Sequence, residues 1–346
     1  MAMKKNRGYK LRAIIGIITI TIIICVFVGI YILAHQKTTS TLIDGRYSTA
    51  DEMDSGYKYI QADGKKYTYN SSLVGLLFIG VDSTESLNSD EVSNSNTGVS
   101  GRADSIQLIL FDTENKRIKI IAISRDSMID IKVTNASGKF VGWKKDHLAL
   151  SYAYGDGQDK SCLLTVDAVS RLFNDIPIIY YMGMNLSSLS DVMNLVGEID
   201  VVSPNNDLVA FDSMYKQGNR ITITANNVEQ FVRYRNTEIS QSNERRMERQ
   251  KEFMSGYLAG LKQKISSGYS SMLAKTVSML GNMATNISVS EAGNILDMAY
   301  NYSFDADKDY YRLEGTAQEG LLHDEFYLDE EKLQELILET FYKMTS

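Results

Sequence analysis

The chain is short of cysteine, histidine, proline and positive charge, and each shortage closes off a class of protein. Its 346 residues include only two cysteines, Cys25 and Cys162. Cys25 lies inside an apolar run, so Cys162 has no evident partner and no disulfide framework is implied. Three scattered histidines, His35, His147 and His323, offer none of the close spacings of a histidine metal site. Two prolines exclude a proline-rich spacer. Neither glycine-rich nucleotide loop, G-x-x-x-x-G-K-[ST] or G-x-G-x-x-G, is present. No G-x-S-x-G nucleophile elbow occurs, and the S-x-x-K matches at Ser55–Lys58 and Ser213–Lys216 lack a following K-T-G. The formal net charge is −7. With 44% hydrophobic and 23% charged residues, the chain has the composition of a folded protein of one large domain or two ordinary ones.

What the chain does have begins at its N-terminus. Ala13 to Ala34 is an uncharged run of 22 residues, long enough to cross a bilayer. Lys4, Lys5, Arg7, Lys10 and Arg12 precede it without an acid, so positive-inside bias predicts a cytoplasmic N-terminus and an exported remainder. A cleaved signal peptide would have a shorter apolar core and a small-x-small site, which Ile32-Leu33-Ala34 does not supply. The expectation is a basic tail over 1–12, an uncleaved anchor over 13–34, and a stalk with a leading hairpin over 35–70. Beyond the tail, 31 basic side chains face 43 acidic ones. An excess of acid argues against binding nucleic acid or anionic lipid surfaces non-specifically.

Alternating periodicities predict mixed helix and strand. Asp63-Gly64 between aromatic arms over 57–69 reads as a hairpin. Val74 to Val81, Ile106 to Phe111 and Arg117 to Ile123 read as buried strands. Between the first two lies a polar loop, 83–100, long enough to be an inserted functional segment. If the second and third strands form an antiparallel hairpin, Arg102, Asp104, Arg125 and Asp126 gather at one edge. A first strand parallel to the third brings Asp82 there as well. Further on, helices are expected over 148–154, 163–173, 186–196, 225–231 and 243–265, with strands over 178–182, 198–202 and 221–223. Two more helices, 270–283 and 290–300, precede an aromatic strand and an amphipathic helix over 331–342. The alternation implies an α/β or α+β sandwich.

Five arginines and no lysine occupy 233–250. Planar guanidinium forks suit a multiply charged anion. With Asn243 as N-cap, the following helix would place Arg246, Arg249, Gln250 and Phe253 on one face. Arginines in a first helical turn oppose the macrodipole unless an anion binds there. The interleaved Glu244, Glu248 and Glu252 leave open a solvated face with ordinary i,i+4 pairing. Carboxylates and arginines with no resident nucleophile are the inventory of direct phosphoryl transfer. An exported enzyme has no ATP, so its donor would be a lipid-linked pyrophosphate.

The motifs Ile79-Gly80-Val81-Asp82, Gly101-Arg102-Ala103-Asp104-Ser105, Ile123-Ser124-Arg125-Asp126, Arg233-Tyr234-Arg235 and Arg246-Met247-Glu248-Arg249-Gln250 occur in that order behind one N-terminal anchor. In this the chain resembles the LytR-CpsA-Psr family of bacterial cell-envelope phosphotransferases, from about Tyr57 to Tyr269 and more loosely beyond. The resemblance implies an α/β/α sandwich with a central mixed sheet, a catalytic domain over 71–269, and a helical extension over 270–346 packing on or near it. It implies transfer of a phosphoglycan (teichoic acid, capsule or another wall polymer) from undecaprenyl pyrophosphate to a peptidoglycan hydroxyl, outside the membrane of a Gram-positive cell. Carried over by motif, Asp82 and Asp104 would hold magnesium, or manganese. Arg102, Arg125, Arg233, Arg235, Arg246, Arg249 and Gln250 would surround the pyrophosphate, with Arg102, Arg125 and Asp126 catalytic. Asp126 or Asp82 could activate the acceptor hydroxyl. The lipid tail would lie among apolar residues of the sheet and the 147–196 helices. Arg245 lacks a counterpart and stands off that face. Two residues depart from the motifs: Ser124 where the family usually has proline, and Asn243 where it usually has aspartate. A lipid-pyrophosphate hydrolase, or a non-catalytic receptor for lipid-linked precursors, would use much of the same inventory.

Overall fold

The computed structural model describes residues 58–62, 64–82, 101–135, 137–236, 242–320 and 324–345. The expected tail, anchor and most of the stalk, and the 83–100 loop, lie outside them. Among the described residues no helix is long and apolar enough to cross a membrane. Residues 57–346 form one compact unit.

In chain order, β1 (Tyr59–Ala62) and β2 (Lys65–Tyr69) pair antiparallel as the expected hairpin. Gly64 in its turn takes a φ of 72°, the left-handed region that suits glycine. β3 (Leu73–Val81), β4 (Ala103–Asp112) and β5 (Arg117–Ile123) follow. They are aliphatic runs buried on both sides, the pattern of a sheet covered on two faces. β3 pairs antiparallel with β4, and β4 antiparallel with β5, so β3 and β5 run in the same direction. A hairpin follows that the sequence reading did not contain: β6 (Met128–Thr134) and β7 (Phe140–His147). Helices α1 (Leu150–Ala153) and α2 (Asp159–Leu172) lead to β8 (Tyr180–Met184), which lies parallel to β3. α3 (Ser188–Val196) is followed by β9 (Ile199–Val202) and β10 (Arg220–Ile223), an antiparallel pair. α4 (Val228–Arg233) and the 26-residue α5 (Ser242–Ser267) come next.

The remainder holds α6 (Tyr269–Leu280), β11 (Ala284–Thr285), α7 (Val289–Asn301), α8 (Ala306–Asp309) and β12 (Tyr310–Arg312). It ends with β13 (Gly315–Glu319), β14 (Asp324–Leu328), α9 (Glu330–Phe341) and β15 (Tyr342–Met344). The segment expected as a helical extension is therefore woven into the domain. β11 and β12 form the two edges of the main six-stranded sheet, whose order is β11-β8-β3-β4-β5-β12, and β15 pairs with β2.

Strand alternation sends side chains to opposite layers. Leu77, Ile79, Leu108 and Leu110 pack with α2 and α9 through Val169, Phe173, Ile337 and Phe341. Phe78 and Met182 face the other layer, where α3, α5, α6 and α7 contribute Met193, Phe253, Leu261, Met279 and Leu296. The result is an α/β/α sandwich around a mixed sheet. Gly256 lets α5 lie close to β9: a Cβ there would stand 2.9 Å from Val201 Cγ1. α5 is thereby held along the sheet, which decides where its first turns point.

Phe341 is fully buried, its ring centroid 5.3 Å from that of Phe173. Phe341→Ala is expected to destabilise the protein by about 3–5 kcal/mol, the cost of an unfilled aromatic site. Urea denaturation measures it, and a loss below about 1 kcal/mol would contradict an integral C-terminal segment.

Candidate active site

The register places the acids first. Asp82 follows the end of β3, Asp104 opens β4, and Arg125 lies just past β5, so all three meet at one sheet edge. The backbone N–H of Asp82 donates to the carbonyl of Arg102 at 3.1 Å, which ties the first two strand ends together. Arg125 NH1 donates to Asp104 Oδ1, and Arg125 Nε lies 3.2 Å from Asp126 Oδ1. Arg233, the last residue of α4, reaches Asp82 at 2.5 Å and Glu229 at 3.0 Å. Asp126 is buried and its carbonyl accepts from the Phe326 N–H at 2.8 Å. Arg102 is exposed and stands outside the cavity described below.

The 233–250 arginines divide into two groups. Arg246 is 4% exposed, and its NH2 donates to the Asp104 carbonyl at 3.0 Å and to Asn243 Oδ1 at 2.7 Å. Its Nε is buried without a partner. Arg235 Nε donates to Ser242 Oγ at 3.3 Å, and its NH2 lies 3.7 Å from Asp324. Gln250 donates to the Val232 carbonyl at 3.1 Å. Arg249, expected beside Arg246, turns the other way. Its Nε donates to the Phe231 carbonyl at 2.8 Å, its NH2 to the Tyr234 carbonyl, and its NH1 to Asp207 Oδ2 at 2.9 Å and Asn205 Oδ1 at 3.2 Å. Every nitrogen is engaged, so Arg249 pins the Arg233-Tyr234-Arg235 backbone instead of facing the site. Asp207 also lies 2.7 Å from Arg245, which joins that structural cluster. Asn243 does not cap α5, which starts at Ser242. Its Nδ2 donates to Ser124 Oγ at 2.9 Å instead.

Between the sheet and α5 runs an apolar cavity that opens on these charges. Asp82, Asp104, Arg233 and Arg246 line its mouth, and Leu76, Ile109, Phe111, Ile118 and Ile120 its sheet wall. From Ser105 to Phe111 it follows β4 for roughly 20 Å at the rise of a strand. Phe253, Met254, Tyr257, Leu258 and Leu261 of α5 form the opposite wall. Of the 147–196 helices expected around such a cavity, α3 takes part through Leu189 and Val192, whereas α1 and α2 pack on the other face. The sequence reading did not assign α5 to this wall, although its apolar stripe continues the Arg246–Gln250 face at helical spacing. Beside the mouth, an open groove is lined by Asp104, Arg125, Arg233, Arg235, Arg246, Tyr234 and the exposed ring of Phe211. Nothing in the spacing of Asp207 or Phe211 announces either role.

Burial controls the electrostatics. It raises the Asp104 carboxyl above the ordinary range; Asp82 adds to the rise, while Arg125, Arg246 and Arg233 oppose it. Desolvation brings the Arg246 guanidinium down to about 10, against the pull of Asp104. Two carboxylates that repel at one mouth fit a hard divalent cation, whose remaining ligands would be water and phosphate oxygens. Among the described residues no group of three or more His, Cys, Asp or Glu is arranged to hold a metal ion. Both acids are paired with arginines, Asp104 with Arg125 and Asp82 with Arg233.

Comparison with known proteins adds relatives to this geometry. The model of the LytR-CpsA-Psr family (LytR_cpsA_psr) matches residues 31–337. The polyisoprenyl-teichoic acid–peptidoglycan teichoic acid transferase TagU of Bacillus cereus (strain AH820) is 30% identical over 204 residues, 58% of this chain. The chain spans 59% of the length of that relative. The crystal structure of B. subtilis TagV matches with a TM-score of 0.57 at 21% identity, covering 78% of this chain and 95% of that one. A structure of TagT bound to LI-WTA gives 0.56 at 22% identity, covering 82% and 95%. At those identities the structural likeness is one of fold.

The two buried arginines should respond differently to removal. Arg249→Met leaves Asp207 with Arg245 alone and strips the Phe231 and Tyr234 carbonyls of their donor, and is expected to cost about 3–5 kcal/mol in chemical denaturation. Arg246→Met removes an incompletely paired cation and is expected to cost less than about half as much. Equal losses would refute the division into a structural and a site arginine.

Proposed function

The chain belongs to the LytR-CpsA-Psr family, and on that premise we propose that it is a membrane-anchored, extracytoplasmic phosphotransferase of a Gram-positive cell envelope. It moves a phosphoglycan from undecaprenyl pyrophosphate to a hydroxyl of peptidoglycan. The observation that carries this reading is the junction of a deep apolar cavity with a cluster of Asp82, Asp104, Arg125, Arg233 and Arg246 at its mouth. Only an amphiphile with an apolar tail and a polyanionic head complements both parts. The name of the TagU relative, a teichoic acid transferase, makes a teichoic acid the first polymer to test.

In this reading the part of the polyprenyl tail nearest the pyrophosphate lies between the sheet and α5, out of contact with water. Arg246 meets the pyrophosphate from the helix, and Arg125, Arg233 and Arg235 meet it from the groove. Asp82 and Asp104 would hold magnesium, which supplies charge neutralisation for the departing phosphate. The glycan leaves through the open groove past Tyr234 and Phe211. Arg125, held between Asp104 and Asp126, is placed to stabilise charge developing on the transferred phosphoryl group. Asp82 is exposed and Asp126 is buried, so of the two candidate bases Asp82 is the one an incoming hydroxyl can approach.

The full-length chain with magnesium is expected to join a polyprenyl pyrophosphate-linked teichoic acid covalently to peptidoglycan. Arg125→Ala and Asp104→Ala should each lower kcat/KM by roughly 100- to 1,000-fold, the usual loss for one preorganised electrostatic group. Mass analysis of the products separates transfer from hydrolysis, because only transfer leaves a glycan–peptidoglycan conjugate. Undiminished activity in both variants refutes the assignment.

A further inference from the structure

Two buried polar side chains, neither of them charged, join the two halves of the site. Ser124 follows β5 and is 4% exposed; Asn243 lies in the first turn of α5 and is 8% exposed. Their hydrogen bond, 2.9 Å from Asn243 Nδ2 to Ser124 Oγ, spans 119 positions of sequence. Each is bonded onward to the site. Ser124 Oγ accepts from the backbone N–H of Asp126 at 3.3 Å, and Asn243 Oδ1 accepts from Arg246 NH2 at 2.7 Å. The same guanidinium nitrogen reaches the Asp104 carbonyl at 3.0 Å. A path of hydrogen bonds therefore runs from the end of β5, through α5, to the start of β4.

The orientation of the Asn243 amide follows from its neighbours. A guanidinium only donates, so the amide oxygen must face Arg246 and the amide nitrogen must face Ser124. Asn243 thus fixes Arg246 without giving up the charge of that arginine. A carboxylate in its place would form a charge-assisted pair and neutralise the group that has to meet the anion.

We infer that Ser124 and Asn243 are positioning residues: their hydrogen bond sets Arg246 against the Arg125–Asp126 strand end, and their neutrality leaves Arg246 free to bind a phosphate oxygen. The inference rests on the pyrophosphate site proposed above. It separates two things that one acidic residue would combine, namely holding an arginine still and cancelling its charge.

The test is magnesium-dependent binding of inorganic pyrophosphate to the full-length chain. Ser124→Ala and Asn243→Ala are each expected to weaken it by roughly three- to tenfold. The double variant should lose no more than the larger single loss, as for two residues acting through one bond. Ser124→Thr keeps the oxygen and should restore affinity. Asn243→Asp keeps a hydrogen bond, with the serine now donating, yet should weaken binding by roughly tenfold through charge alone. A purely structural clasp would shift the unfolding midpoint without this contrast between Ser124→Thr and Asn243→Asp. Additive losses in the double variant, or full affinity in Asn243→Asp, overturn the inference. Absence of pyrophosphate binding by the unmutated chain overturns it together with the site. Failed glycan transfer with intact pyrophosphate binding counts against the functional proposal alone.

Discussion

Because β3, β4 and β5 share one antiparallel register, with Ile79 opposite Ile106 and Ile106 opposite Ile123, three strand ends arrive at the same edge of the sheet. Everything else in the site depends on that arithmetic. The side-chain period of a strand is two, so a slip of one residue would exchange the two faces. Gln107, Ile109 and Phe111 would leave the cavity wall, and Leu108 and Leu110 would enter it. Register is strongly specified here because both faces are buried, one by α2 and α9 and the other by α3 and α5–α7. The large hydrophobic layers thus fix a polar constellation that would not hold itself together. Left alone, Asp82 and Asp104 repel.

α5 contributes to both parts of the site, and its sequence is divided accordingly. Its first turns carry Arg246 and Gln250, and the following turns carry Phe253, Tyr257 and Leu261 along the same side. A neighbouring stripe carries Arg245 and Arg249 to Asp207. The guanidinium of Arg249 then binds the carbonyls of Phe231 and Tyr234, so the end of α4 is anchored by a charge that never meets solvent. One arginine is used as a bracket and its neighbour lines the mouth of the cavity. Their burial is similar, and only the number of engaged nitrogens tells them apart.

Long aliphatic strands and the long helices were legible in the sequence because their periodicity extends over several turns or pleats. The convergence of Asp82, Asp104 and Arg125 followed from nothing more than strand polarity. The elements that escaped are those whose signal is too short or too polar. β11 has two residues and β12 three, below the length at which alternation can be read, although they close both edges of the main sheet. β7 carries exposed Phe140, Val141 and Trp143 among lysines and shows no clean alternation. Arg249 was misplaced for a different reason. Helical spacing puts it 60° from Arg246 on the helix surface, and the acid that turns it away, Asp207, lies in a loop with no pattern to expose it.

Arg246 poses the harder energetic question. A guanidinium that is almost fully buried with Nε unpartnered loses more solvation than its two hydrogen-bonded contacts return, which is why its proton affinity falls. A protein selected for stability alone would replace it with an apolar side chain or supply a carboxylate. This chain supplies an amide, Asn243, and ties that amide to Ser124. The arrangement keeps the arginine in one place at the expense of leaving its charge only partly compensated. Such a deficit is tolerable when the rest of α5 is firmly seated, by Gly256 against β9 and by Arg249 on Asp207. Stability and electrostatic readiness are therefore drawn from different residues of one helix, and the incompletely paired member is the one that lines the mouth of the cavity.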